Sequence, residues 1–557
     1  MSATLSQRRI GLLVVLFGLL LAAGLARAFQ LTTFDSGRLS SVATNEHTRT
    51  IVVPAPRGAI LDRNGAMLAV DAAADDISAT PQLIHNPITA ATALAPLLHV
   101  RPSTIEEKLA HPTSREYTML ARQVPDATAQ LIKALKIPGI ALATDPLRTY
   151  PFRFLASQVI GDVGVAGSGL AGIEYEYNRV LAGTPGVQHV VYDASGRPIS
   201  ESGPSPQAGG AVQLTIDAAL QQDAEHVLSA TAARFHPLRA TVIVMDPRTT
   251  TVLAMANWPR ANANDTAQMA RARNYATQLN YEPGSTFKVV AIGGALADGL
   301  ISPSTKFLIP DSYHVADRVI HDDNAHPTEW MTTSKILAYS SNIGAVKIGQ
   351  LLEHEVPGAT NQMYNWVLRY GFGAPTGIDL PEQQGIVPPA STWSGSSIGN
   401  LPFGQGESVT PIQMATAYAA IANGGLLRTP HIVASVGGVP TPEPRAHRIF
   451  SSTVAAQLRT MLRGVLLPGG TAAEIQIPGY ELAGKTGTAQ KVVNGTYSRT
   501  DYVASFVGFA PARDPRIEAL VVVDRPSNGY VFGAEVAAPA WKQIMDFALP
   551  YLKIAPR

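Results

Sequence analysis

A serine stands three residues before a lysine in Ser285-Thr286-Phe287-Lys288. Two further polar motifs follow it in order, Ser340-Ser341-Asn342 and Lys485-Thr486-Gly487-Thr488. Each supplies something that acyl transfer through a serine ester requires. A serine hydroxyl is a poor nucleophile until a base takes its proton, and a lysine is such a base only when burial or a second cation makes it neutral. The three-residue spacing puts Ser285 and Lys288 on one helix face. Pro283-Gly284 breaks the chain just before them. The serine is therefore expected in the first turn of a helix over 285–296, where the dipole favours negative charge developing on the acyl oxygen.

Ser340 and Asn342 fall between a helical run ending near Ala338 and another starting at Ile343. Two residues apart do not share a helix face, so the pair reads as a turn presenting two polar side chains. The serine suits a proton relay to a leaving amine and the asparagine suits a substrate amide; the competing reading is a helix cap. Lys485 to Thr488 lie in a strand-like run. A strand edge beside a serine can offer a backbone N–H to an oxyanion. The Lys485 ammonium and the Thr486 and Thr488 hydroxyls suit a substrate carboxylate, and Gly487 would admit substrate backbone. Each motif alone has a bland alternative: chance, a cap, a polar strand. Their joint occurrence in this order favours chemistry. No His-Glu-x-x-His zinc motif occurs, and His321-Asp322-Asp323 reads as a solvated loop, so neither a metal nor a cofactor is expected.

The positioning elements follow from the rest of the chain. Its 557 residues exceed one ordinary domain, and 46% hydrophobic with 15% charged content describes a globular protein with ample core. A net charge of +1 gives no case for nucleic acid, and the absence of cysteine excludes disulfides and thiolate metal sites. Arg8 and Arg9 precede an unbroken apolar run over residues 10–26. That run spans about 26 Å, and snorkelling of Arg27 extends it through Ala28 and Phe29. The reading is an uncleaved single-pass anchor with the arginines in the cytoplasm and the rest outside; a signal peptide cut after Ala26-Arg27-Ala28 is the alternative.

Thr48 to Val53 is β-rich, Asn64-Gly65 is a turn between strands, and 86–140 read as helices with Pro breaks. The Gly-, Pro- and Ser-dense stretch 194–211 reads as a linker. Beyond it come a helix over 217–232 and a hairpin over 241–255. Three strands follow at 482–493, 504–509 and 517–523, turned at Asn494-Gly495 and Arg513-Asp514-Pro515, and a last helix covers 535–552. Strands at both ends with helices between suggest one mixed sheet assembled from distant segments.

These residues resemble the class B penicillin-binding proteins, the monofunctional peptidoglycan D,D-transpeptidases, over nearly the whole chain. Arg57-Gly58-x-Ile60-x-Asp62-Arg63-Asn64-Gly65, Arg148-x-Tyr150-Pro151 and Gly172-Ile173-Glu174 look like that family's pedestal motifs. Tyr281-Glu282-Pro283-Gly284-Ser285-Thr286-Phe287-Lys288 and Lys485-Thr486-Gly487-Thr488-Ala489-Gln490-Lys491 look like its active-site motifs in their division (septal) form. Gly404-Gln405-Gly406 departs from the Gly-Tyr-Gly common in division enzymes, and elongation enzymes often carry Gln there. The resemblance implies an α+β chain whose penicillin-binding transpeptidase domain, serine β-lactamase-like, has an antiparallel sheet flanked by helices. It also implies the order cytoplasmic tail 1–9, transmembrane anchor 10–29, elongated β-rich pedestal 30–193, linker 194–211 and transpeptidase domain 212–557, in a bacterial inner membrane with the catalytic domain extracytoplasmic.

It further implies a Ser285 acyl-enzyme with Lys288 as base and Ser340 as relay. Asn342 would bind the acyl-side amide, and Lys485, Thr486 and Thr488 the carboxylate, beside Gly487. The backbone N–H groups of Ser285 and Thr488 would form the oxyanion hole. The implied partners are peptidoglycan stem peptides, β-lactams, a SEDS-type glycosyltransferase and other divisome membrane proteins. Arg57 and Glu174 are expected to pair structurally. An elongation transpeptidase, a serine β-lactamase or penicillin sensor, and a non-catalytic divisome scaffold remain as alternatives.

Overall fold

A computed structural model of the chain describes residues 3–33, 48–192, 198–355 and 361–556. The polar stretch expected after the anchor and the start of the expected linker lie in part outside them, at 34–47 and 193–197. Ala3–Thr33 is one helix. Its segment Arg9–Thr33, 25 residues whose most apolar 18-residue window has mean hydropathy 2.4, is long and apolar enough to cross a membrane.

The chain divides into two compact units, and the division is not sequential. One contains Met1–Pro56, Ala73–Pro146 and Gly183–Ala208; the other contains Arg57–Ala72, Leu147–Ala182 and Gly209–Arg557. In the first, Ala74–Ala79 is the middle strand between Thr118–Pro125 and Ile140–Thr144, antiparallel to both. Helices Pro87–Leu98, Pro102–Ala110 and Asp126–Ala134 pack Leu94, Ile105 and Ile132 against Ile77. Two of these helices open on proline, which tolerates the first helical position. Thr118–Pro125, however, falls inside the stretch read as helical. Met119, Leu120 and Ala121 favour helix locally, and pairing with Ala74–Ala79 overrides that preference. A second sheet joins Thr48–Val53, Gly186–Tyr192 and Pro198–Ser202. The last of these strands lies within the stretch read as linker.

In the second unit, Ile60–Leu61 pairs parallel with Val212–Leu214 and antiparallel with Met67–Ala72. Asp62 Oδ1 accepts the amides of Asn64 and Ala66, both at 2.8 Å, and holds the turn expected at Asn64-Gly65. Glu174 is fully buried between two guanidinium groups: Arg57 Nε at 2.6 Å and Arg148 Nε at 2.7 Å. Arg148 also reaches Asp71 at 3.1 Å. The pairing of Arg57 with Glu174 is thus an interior ion pair shared with Arg148, whose Nη2 has no partner among the described residues.

The sheet that carries the site has five strands, all antiparallel, in the order Thr251–Trp258, Arg239–Asp246, Ile517–Asp524, Thr496–Ala510, Ala483–Val493. It is assembled from both ends of the unit, as expected, but it is purely antiparallel and not the mixed sheet that the strand and helix order suggests. Asn494 and Gly495 both take positive φ, 52° and 78°, the geometry that an Asn-Gly hairpin turn requires. Along the central strand the faces alternate. Leu520 and Val522 join the cluster containing Phe287 and Tyr418, while Val521 and Val523 join Phe506 and Trp541 under the helices Ala218–Phe235 and Gly533–Tyr551. Full burial of one such side chain contributes about 1.5–3 kcal/mol.

Candidate active site

The nucleophile's backbone is set by glycines. Gly284–Phe287 is a 3-10 turn, and the α-helix begins only at Lys288. Ser285 therefore precedes the α-helix rather than opening it as expected. Gly284 takes φ +56°, and its amide donates to the Gly404 carbonyl at 3.0 Å. A Cβ on Gly404 would meet Gly284 O at 2.2 Å, and one on Gly487 would meet Ser505 Oγ at 2.3 Å and Pro283 O at 3.0 Å. At Gly487, expected to admit substrate backbone, the close approach is by Ser505 of the neighbouring strand and by Thr286 and Pro283 of the nucleophile turn.

Lys288 is fully buried, and its Nζ lies 3.0 Å from Ser285 Oγ, 3.0 Å from Ser340 Oγ and 2.7 Å from Asn342 Oδ1, with the Ser340 carbonyl also in contact. Burial pushes its pKa down to about 8. Two of its partners, the carbonyl and Asn342 Oδ1, can only accept. A neutral amine has two N–H donors and one lone pair, so those partners use both hydrogens and the lone pair is left to the hydroxyls. The orientation of Asn342 is fixed by its other end, where Nδ2 donates to the His321 carbonyl at 3.0 Å and to Asp323 Oδ1 at 3.3 Å.

Lys485 is equally buried, on the edge strand Ala483–Val493. It donates to Ser340 Oγ at 2.9 Å and to the Thr486 carbonyl at 3.1 Å. Burial and the Lys288 charge hold its pKa well below the ordinary lysine value. Ser340 sits at φ 63°, the left-handed end of the helix Thr333–Tyr339. The capping duty falls to its neighbour: Ser341 Oγ accepts the Gly344 amide at 2.9 Å at the start of Asn342–Glu355, which leaves the Ser340 hydroxyl to the two lysines.

Thr486 Oγ1 lies 2.8 Å from Thr471 Oγ1, and Thr488 Oγ1 accepts the Gly533 amide at 3.1 Å. A cavity of about 310 Å³ opens over Ser285, with Asp323, Asn342, Gln405, Thr488, Tyr502 and Phe532 in its wall. The fold thus brings together all three motifs. Gln405, singled out in the sequence within Gly404-Gln405-Gly406, lies in the cavity wall, whereas Thr471, Tyr502, Phe532 and a site role for Asp323 have no sequence signal, because none stands at a marked spacing from the motifs. In the His321-Asp322-Asp323 loop, Asp322 Oδ1 accepts the Ile343 amide at 2.9 Å and so caps the helix that carries Asn342.

Two other strings have the letters of unrelated motifs but not their context. Residues 395–399 spell Gly-x-Ser-x-Gly, yet Ser397 opens a 3-10 turn and its hydroxyl accepts the Ser394 amide at 2.9 Å. Residues 479–486 spell Gly-x-x-x-x-Gly-Lys-Thr, yet Gly484, Lys485 and Thr486 are in a strand, not in a loop opening a helix.

The family model for the penicillin-binding protein transpeptidase domain matches residues 240–546, and that for the penicillin-binding protein dimerisation domain matches 52–214. The chain is 32% identical to stage V sporulation protein D of Bacillus subtilis, over 98% of this chain and 86% of that one. It is also 32% identical to the peptidoglycan D,D-transpeptidase FtsI of Escherichia coli, over 97% and 91%. Among solved structures it is similar to penicillin-binding protein 3 of Mycobacterium tuberculosis in complex with aztreonam, with TM-score 0.70 and 28% identity over 91% of this chain and 98% of that one. A transpeptidase domain preceded by a dimerisation domain, with Ser285, Asn342 and Thr488 from the three motifs lining one cavity and Lys288 and Lys485 buried behind Ser285, places the chain in the class B penicillin-binding proteins, the serine-type peptidoglycan transpeptidases.

Proposed function

We propose that this chain cross-links peptidoglycan stem peptides at the division septum through an acyl-enzyme on Ser285. The observation that carries the proposal is the continuous contact from Ser285 Oγ through Lys288 and Ser340 to Lys485 beneath one cavity. In this reading, neutral Lys288 takes the Ser285 proton as Oγ attacks the carbonyl of the penultimate D-alanine. The Ser285 and Thr488 amides hold the oxyanion. The proton passes through Ser340 to the nitrogen of the departing D-alanine. Asn342 positions both Lys288 and the acyl-side amide, and Lys485, Thr486 and Thr488 receive the carboxylate of the stem, or of a β-lactam that mimics it. Gly487 keeps the nucleophile turn against the edge strand.

Arg8 and Arg9 remain cytoplasmic, and residues 10–29 anchor the chain in the bacterial inner membrane with the catalytic domain outside. The proposed order is tail 1–9, anchor, pedestal 30–193, linker 194–211 and transpeptidase 212–557, with segments of the pedestal packing into the catalytic unit. A SEDS-type glycosyltransferase and other divisome membrane proteins dock on the anchor and pedestal. Gln405 in the cavity wall favours a second reading, an elongation enzyme. Depletion decides between them: filaments with incomplete septa support the septal role, and rounded cells overturn it. For the chemistry, incubation with a stem pentapeptide should release D-alanine and leave the acyl group on a peptide containing Ser285; a label elsewhere refutes the assignment.

A further inference from the structure

With Lys288 neutral, the Lys485 ammonium still places positive charge behind Ser340 and Ser285, whereas the amine that must attack the ester approaches from the cavity. A primary alkylamine is an ammonium ion at neutral pH and is repelled by that charge. Of the described residues lining the cavity, only Asp323 is charged. It is exposed, Oδ1 makes a 3.3 Å contact with Asn342 Nδ2, and Oδ2 has no partner among the described residues. The helix cap by Asp322 and the two bonds of Asn342 Nδ2 hold the loop that presents it.

We propose that Asp323 is the acceptor-recognition residue: its carboxylate pairs with the ammonium form of the incoming amine beside the acylated Ser285. This rests on the transpeptidase reading above. The ammonium then gives one proton to water, and the free amine attacks the ester carbonyl. The C–N bond forms, the C–Oγ bond breaks, and a second proton moves from nitrogen to Ser285 Oγ, so that an amide and the free serine result. Asp323 is a specificity residue and takes no part in bond making.

The test uses the full-length protein, an N-acyl-D-alanyl thioester as donor and two acceptors: Nα-acetyl-lysine amide, which is cationic, and hydroxylamine, which is neutral. The amide-to-acid product ratio is read because both products leave one acyl-enzyme, so the ratio does not depend on how fast that enzyme forms. Asp323→Asn should lower the ratio for the cationic acceptor about fivefold, the scale of an exposed ion pair, and leave the hydroxylamine ratio in place; Asp323→Glu should restore most of the loss. An unchanged ratio for the cation, or an equal fall for both acceptors, overturns the inference while wild-type aminolysis keeps the transpeptidase reading. Absence of any acyl-enzyme in the wild type overturns both.

Discussion

Lys288 and Lys485 hold the same hydroxyl from two sides: Ser340 Oγ is 3.0 Å from one Nζ and 2.9 Å from the other. Two ammonium ions sharing one buried hydroxyl repel strongly, so the pair titrates as a unit and gives up its first proton easily. The arrangement makes a neutral Lys288 accessible near physiological pH.

Acylation should therefore rise with pH through about 8, where Lys288 loses its proton. Its folded pKa lies below the unfolded value, so the folded state binds fewer protons between the two, and stability rises with pH across that window and falls as pH drops through about 8. Lys288→Arg keeps the charge but not the base and should slow acylation about 100-fold or more. Stopped-flow reaction with a chromogenic cephalosporin measures both effects; a flat profile or a normal rate in the variant removes Lys288 from the base role.

Ser285→Ala should abolish covalent labelling by fluorescent penicillin without changing the melting curve. Gly487→Ala should lose most labelling too, because its Cβ would meet Ser505 Oγ at 2.3 Å and Pro283 O at 3.0 Å and displace the nucleophile turn. Full labelling of either variant contradicts the assignment.

The penicilloyl adduct should persist for many minutes by intact-mass analysis. Glu282 and Glu407, the glutamates near the nucleophile turn, do not line the cavity: Glu282 Oε1 accepts the Gly406 amide at 3.1 Å, and Glu407 is buried. Rapid penicillin turnover would move the protein to the hydrolases.

Glu407 offers a stability test. Neither of its carboxyl oxygens has a partner among the described residues, and burial, aided by the Glu282 charge, raises its pKa well above the ordinary value of 4.5. Below that value both states are protonated; above it the unfolded state ionises first, so stability declines as pH rises toward the folded pKa. Glu407→Gln should melt like wild type at pH 4 and higher than wild type at pH 7–8, the gap widening with pH. A gap independent of pH would mean that the carboxyl is solvated.

Truncating Arg57 to alanine strands Glu174 on one guanidinium in a dry interior and should cost about 3 kcal/mol or more, read by denaturant titration. A loss below about 0.5 kcal/mol would class the pair with exposed ion pairs.

The chemistry was legible because Ser285-x-x-Lys288 is local and the meander over 483–524 announces its turns at Asn494-Gly495 and Arg513-Asp514-Pro515. What escaped was non-local. The Thr118–Pro125 strand is made by a partner about forty to fifty residues away. Thr471 and Asp323 join the site through tertiary packing, with no spacing to mark them. The sequence marks Asn342 as a substrate contact, and only the fold reveals that its amide also spans Lys288 and the Asp323 loop.

The assembly of the sheet from distant segments has a consequence in time. Arg239 on an early strand meets Asp524 on the central one, 285 residues later. At ribosomal speed the partner arrives roughly 15 to 60 s after the first hairpin has been made. Through that interval the hairpin of Arg239–Asp246 and Thr251–Trp258 has an unpaired edge, and the Ser285 turn has no strand to rest on. The nascent protein is thus an open template for β-aggregation for about half of its synthesis, and its yield should depend on a holding chaperone until the last strands are delivered.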